Sequence, residues 1–188
     1  MNVRLLMAMT LLCSAAAAPA WGQAVTVLGD SKAAECSRAA LWGRDDDKTL
    51  ALCDLAIEEE ALDQMRRAAT FVNRGIIHMR RKEWQAAHTD FDEALKRKPQ
   101  LGEGYVNRGA LLIGTKRFAE GLADTNRGIE LGIEEPEKAY YNRAIAYEGL
   151  GDPKSAYYDY QQALAINPEW DLPRKELERF TVTRRETR

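Results

Sequence analysis

Few residues in this 188-residue chain could carry catalysis. Histidine occurs only at His78 and His88, and no third ligand is patterned with the pair, whereas protein zinc sites use three or four. Among Cys13, Cys36 and Cys53 there is no Cys-x-x-Cys or Cys-x-x-Cys-His, so thiol oxidoreduction and haem attachment lack support. Asp45-Asp46-Asp47 lacks the alternating ligands and glycine of a calcium loop, and Asp47 is expected to cap the helix that follows. Glu58-Glu59-Glu60 is expected as a solvated helical stretch, and Ser31, Ser37 and Ser155 sit in no nucleophile motif. The expectation is no catalytic residue, no metal and no cofactor.

What remains is a phrase. Val72-Asn73-Arg74-Gly75 returns unchanged at Val106-Asn107-Arg108-Gly109 and nearly so at Tyr141-Asn142-Arg143-Ala144. No Gly-Lys-Ser/Thr follows either glycine, so the phrase is not a phosphate-binding loop. Its recurrence points instead to repeated elements. With Ala68 as position 1, Phe71, Gly75, Ala87, Phe91, Ala94 and Pro99 occupy positions 4, 8, 20, 24, 27 and 32. A second unit starts 34 residues on, at Gly102, with Tyr105, Gly109, Gly121, Thr125 and Gly128 at the first five of those positions. A third starts at Glu137 with Tyr140, Ala144, Ala156, Tyr160, Ala163 and Pro168. Small residues at 8, 20 and 27 let two antiparallel helices approach, aromatics at 4 and 24 fill the space beside them, and proline ends the second helix. The middle unit departs from this: Gly121, Thr125 and Gly128 weaken its second helix, and one extra residue delays its stop to Pro136.

These positions resemble the tetratricopeptide repeat family over residues 68 to about 169. The resemblance implies an all-α, right-handed α-solenoid of helical hairpins with a C-terminal capping helix. Units fall at 68–101, 102–136 and 137–170, preceded by a divergent hairpin at 30–67 and followed by a capping helix and basic tail at 171–188, with Asp171 as N-cap. Cys36 and Cys53 flank the turn Gly43-Arg44-Asp45-Asp46 and would face each other across the divergent hairpin as a disulfide.

Residues 1–24 have the layout of a secretory signal peptide: Arg4, an apolar run from Leu5 to Ala18, then small residues that allow a cut after Ala20 or Ala24. Cys13 follows bulky Leu12 and does not fit lipid attachment. The run is short for a bilayer span, so the mature chain is expected to be exported, periplasmic and without an integral membrane segment. The net charge of −2 indicates neither nucleic acid nor an anionic membrane as partner. The basic tail is equally well explained as a frayed, solvated terminus.

The family resemblance also implies a concave groove lined by positions 2, 5, 6, 9, 12 and 13 of each first helix. Asn73, Asn107 and Asn142, all at position 6, form its polar ladder. Val72, Ile76, Val106, Ala110, Ile113, Tyr141 and Ile145 form an apolar floor, with Lys138 at position 2. Within the family's carboxylate clamp Asn107 and Lys138 match, but Val72, Ile76 and Asn142 do not, so a clamp-type co-chaperone is disfavoured. Arg74, Arg108 and Arg143 are expected to pair with acids of adjacent helices. Two readings of the asparagines stay open: they hold an extended peptide, or they satisfy internal groups beneath the protein's own termini. The implied function is a protein-binding adaptor without enzyme activity. Its alternative is a self-associating homo-oligomer or a permanently docked subunit of a cell-envelope complex.

Overall fold

The computed structural model describes residues 5–9, 18–20 and 22–184. Cys13, Arg4, much of the apolar run and the last four residues of the basic tail lie outside that set. Helix α1 (Lys32–Leu41) and α2 (Asp47–Glu59) form the first hairpin. Three further hairpins follow: α3 (Gln64–Arg80) with α4 (Trp84–Arg97), α5 (Gly102–Gly114) with α6 (Phe118–Leu131), and α7 (Pro136–Gly149) with α8 (Pro153–Ile166). Helix α9 (Asp171–Leu177) closes the array. Strand β1 (Leu5–Met9) pairs antiparallel with β2 (Phe180–Arg184), which places five residues of the apolar run against the basic tail. Of the basic tail, the stretches Asp171–Leu177 and Phe180–Arg184 therefore lie in α9 and β2.

Small residues set the helix spacing. A Cβ on Gly75 would lie 2.6 Å from the Phe91 ring, and one on Gly128 only 2.4 Å from Val106 Cγ2. In the middle hairpin, Gly109 and Gly121 each bring a would-be Cβ within 3.0 Å of the other's carbonyl oxygen. The glycines that weaken α6 as an isolated helix thus allow its backbone to press against α5.

The arginines stitch the hairpins together. Arg74 Nε and Nη2 donate to Asp90 at 2.9 and 2.6 Å, and Nη1 donates to Asp54 of the preceding hairpin at 2.6 Å. Arg108 repeats this with Asp124 and Asp92, and Arg143 with Asp159 and Asn126. Each guanidinium also stands over the aromatic three residues earlier, Phe71, Tyr105 or Tyr140. Every clip joins position 23 of its own unit to position 25 of the unit before, an arrangement that unites one planar fork with two acceptors.

Several helix ends depart from expectation. Asp46, not Asp47, caps α2, accepting from the Thr49 amide and hydroxyl. Trp170, not Asp171, precedes the first turn of α9. Helix α6 stops at Leu131 with Gly132 at φ +81°, and Pro136 opens α7 instead of ending α6. Proline suits a first turn, where its missing N–H has no helical partner to lose. Glu60 is not simply solvated: its carboxylate accepts the Lys32 and Ala33 amides at the start of α1. Cys36 and Cys53 are joined as a disulfide between α1 and α2, with Cα atoms 5.1 Å apart.

Candidate binding groove

Helices α3, α5 and α7 each place one asparagine on the inner face, and all three asparagines are buried. Extended backbone of the same chain, at residues 18–20 and 22–29, runs over them. Asn142 Oδ1 accepts the Ala20 N–H at 2.7 Å while its Nδ2 donates to the Ala20 carbonyl at 3.0 Å. Asn107 treats Gln23 the same way at 3.2 and 3.0 Å, and Asn73 treats Val25 at 2.9 and 2.8 Å. In the first hairpin Ser37 takes over: its hydroxyl accepts the Val27 N–H at 3.1 Å and donates to the Val25 carbonyl at 2.9 Å. Arg66 and Arg38 then bind the carbonyls of Leu28 and Gly29. The segment therefore runs from the last repeat to the first, opposite to the order of the helices it crosses.

Spacing explains the register. Packed helices stand about 8–10 Å apart and an extended chain advances about 3.3 Å per residue. Between two and three residues are then needed per rung, and the observed rungs fall at residues 20, 23 and 25. Gly22, at φ +94°, sits within the longer step.

Ala24, Val25 and Val27 join the core cluster that contains Val72, Ile76 and Ala110, whereas Ala20 packs beside the cluster of Ile113, Tyr141 and Ile145. The floor residues are all buried and do not form an open surface. Val106 turns partly toward α6, onto Gly128, and Tyr141 packs on Tyr160 and Trp170 at 5.5 and 5.0 Å between ring centres. Burial pushes the Tyr141 hydroxyl above the usual tyrosine range. Lys138 pairs with Glu135 at 2.6 Å, and the Glu135 carbonyl accepts Gln23 Nε2 at 3.0 Å.

Beyond the last rung the groove opens into a cavity of about 610 Å³, with Ala18 and Pro19 along one side. Ile113, Phe118, Ile145 and Trp84 supply its apolar wall, and Lys82, Lys116, Glu148 and Arg179 its polar one. Lys82 and Lys116 occupy equivalent turns of successive units, at φ 62° and 65°.

The histidines have other work. His78 Nδ1 lies 2.5 Å from Glu83 and His88 Nδ1 3.1 Å from Asp92. Among the described residues no group of three or more His, Cys, Asp or Glu is placed to hold a metal ion. Hydrogen bonding to Asp124 holds the Arg108 guanidinium above its ordinary range despite burial. Burial would pull Arg74 down, but its bonds to Asp90 and Asp54 reverse that. Sequence reasoning missed Ser37, Arg66, the acids at position 23 and their companions Asp54, Asp92 and Asn126 at position 25. The position-23 acids had left a signal, since an Asp follows each repeat arginine by sixteen residues.

Residues 137–169 match the tetratricopeptide repeat family profile. The hairpin array and this match together decide the family. The chain is a tetratricopeptide-repeat protein. The fold of this tetratricopeptide-repeat protein resembles the Arabidopsis OM64 TPR domain, with TM-score 0.59 at 24% identity over 62% of this chain and 96% of that one. It also resembles MamA from Desulfovibrio magneticus RS-1, with TM-score 0.62 at 23% identity over 80% and 84%. In sequence it is 36% identical over 90 residues to the wheat (Triticum aestivum) Hsp70-Hsp90 organizing protein, covering 47% of this chain and 15% of that protein. Similarity to human DnaJ homolog subfamily C member 7 is 28% over 121 residues, 61% of this chain and 24% of the relative. The tetratricopeptide-repeat protein thus spans less than a quarter of either curated relative.

Proposed function

We propose that this protein is an exported adaptor that holds an extended segment of a protein partner along its concave groove and performs no chemistry. One observation carries the reading: three asparagines one repeat apart each take both the N–H and the C=O of a single residue in an extended chain. That recognition is directed at backbone, so it holds any segment whose side chains fit the floor. The apolar floor and small resident side chains favour a segment of modest, mainly apolar residues. The adaptor role is supported by the repeat family itself, and export by the arrangement of Arg4, the apolar run and the alanines.

Residues 18–20 and 22–29 are the resident occupants, and a partner must share or displace them. The test is capture from the native envelope by a chain carrying a photocrosslinking residue at Glu103, beside the Asn107 rung. Crosslinks to a second protein that vanish in Asn107→Asp support the adaptor. Crosslinks only to copies of this chain, with a stable dimer by light scattering, would support self-association instead.

A further inference from the structure

The first hairpin is joined differently from the others. In each repeat an arginine of the first helix grips an aspartate of the second, at Asp90, Asp124 or Asp159. Asp54 takes the outer bond of Arg74, as Asp92 does that of Arg108, and so fixes the matching place in α2 two residues earlier, at Leu52, which is no acid. Among the described residues no hydrogen bond or ion pair joins residues 34–41 to α2, and the Cys36–Cys53 bond stands in for the missing clip. At its other end α1 is seated on the Glu60 carboxylate, which accepts the Lys32 and Ala33 amides. Helix α2 is tied onward to α3, because Arg67 donates to the Ile57 and Glu60 carbonyls and Arg74 to Asp54.

The two residues after Cys36 grip the resident chain. Ser37 accepts the Val27 N–H and donates to the Val25 carbonyl, and Arg38 donates to the Gly29 carbonyl. Asn73 and Arg66, both in α3, hold Val25 and Leu28. Val27 also packs in one core cluster with Ala33 and Ala34 of α1.

We propose that the Cys36–Cys53 disulfide is a redox latch on the groove: oxidised, it keeps α1 closed over residues 25–29; reduced, α1 swings out about Glu60 and opens the Asn73 rung to a partner segment. This regulation rests on the adaptor reading above. A dithiol supplies the electrons. Its thiolate attacks one sulfur, which breaks the Cys36–Cys53 bond and forms a mixed disulfide, and its second thiol then displaces the remaining cysteine. Two electrons and two protons pass in all, leaving two cysteine thiols and the reductant as a disulfide. Both cysteines are fully buried, so attack waits on a local parting of α1 from α2. A terminal element of a helical array can open in this way without unfolding the units beyond it. Ser37 and Arg38 leave with α1, since they follow Cys36 directly. The Val27 N–H and the Gly29 carbonyl then turn to water, and Val25 keeps only its pair of bonds to Asn73. A partner segment competes for that rung instead of for the whole closed site.

The experiment compares the full chain oxidised and after dithiothreitol, following amide exchange by NMR and binding of labelled Gly-Gln-Ala-Val-Thr-Val-Leu-Gly, the sequence of residues 22–29. Reduction is expected to speed Val27 amide exchange at least tenfold, to leave α5 to α8 unchanged, and to tighten peptide binding at least tenfold. Asn73→Leu should abolish that binding. Oxidised Ser37→Ala, which lifts the grip without touching the link, is expected to bind the peptide as the reduced wild type does. A Val27 amide equally protected in both redox forms overturns the latch and leaves the adaptor reading standing. Exchange that rises equally in α5 to α8 also overturns it, since the link would then staple the whole array. A freed Val27 amide with no peptide bound, in the reduced chain or in Ser37→Ala, overturns the adaptor reading and the latch together.

Discussion

Asn107 and Gln23, 84 positions apart in sequence, exchange a reciprocal pair of hydrogen bonds, N–H to Oδ1 at 3.2 Å and Nδ2 to carbonyl at 3.0 Å. Both residues are buried, so neither half of the pair has water as a substitute. Asn107→Leu strands the Gln23 amide and carbonyl, at a cost of about 1–3 kcal/mol. Limited proteolysis is expected to cut within residues 22–29 in this variant and to spare them in the wild type. Equal protection in both would mean that the apolar contacts of Ala24, Val25 and Val27 hold the segment without the rung.

The clip arginines should matter unequally with burial. The Asp90 carboxylate is 4% exposed, and Arg74→Met leaves it without its bidentate partner. Removing one partner of a buried pair costs about 3–5 kcal/mol. Arg117→Met removes an exposed pair with Glu120 and is expected to leave the midpoint nearly unchanged. Urea denaturation of the two variants decides it; equal midpoints would contradict the ranking.

Gly128→Ala sets helix propensity against space. Alanine gains about 1 kcal/mol in an isolated helix, but here its Cβ meets Val106 Cγ2 at 2.4 Å and the Gly102 carbonyl oxygen at 2.9 Å. Overpacking of this kind costs about 1–3 kcal/mol, so the variant is expected to melt lower than wild type. A higher melting temperature would show that α5 and α6 can part without loss.

Reduction of Cys36–Cys53 opens a loop of 17 residues' separation. The chain-entropy account puts its contribution at about 3 kcal/mol. Hydrogen exchange under reductant is expected to speed up in α1 and α2 before α7 and α8, because the link lies wholly within the first hairpin.

Acid should loosen helix starts first. Backbone hydrogen bonding from Thr49 lowers the Asp46 carboxyl below its ordinary value, and hydrogen bonds from Ser155 lower Asp152. A folded value below the unfolded one gives stability that is complete above the unfolded value and lost as pH falls through the folded one. The first turns of α2 and α8 are therefore expected to gain amide exchange as pH drops below about 4, relative to the intrinsic rate. Asp46→Asn and Asp152→Asn, which keep an acceptor without a charge, should flatten that dependence.

The hairpins were legible because their determinants are local or periodic. Gly75, Ala144 and Phe91 recur at fixed offsets, and a 34-residue period converts offsets into faces. The helix-end expectations missed by one residue at Asp47, where Asp46 takes the same cap, and at Asp171, where Trp170 holds the cap position without a side-chain hydrogen bond. Pro136 was misplaced because proline both follows a helix and opens one, and sequence distance alone does not separate the two roles.

Repetition in the sequence determined that one asparagine per unit lies on a common inner face, since identical hairpins stacked in register repeat their inward positions. What lies on that face was decided only by tertiary structure. Residues 18–20 and 22–29 share no period with the repeats, and amides and carbonyls among them find partners up to 122 positions away. An extended chain has no internal hydrogen bonds of its own, so its path is set by the groove that supplies them.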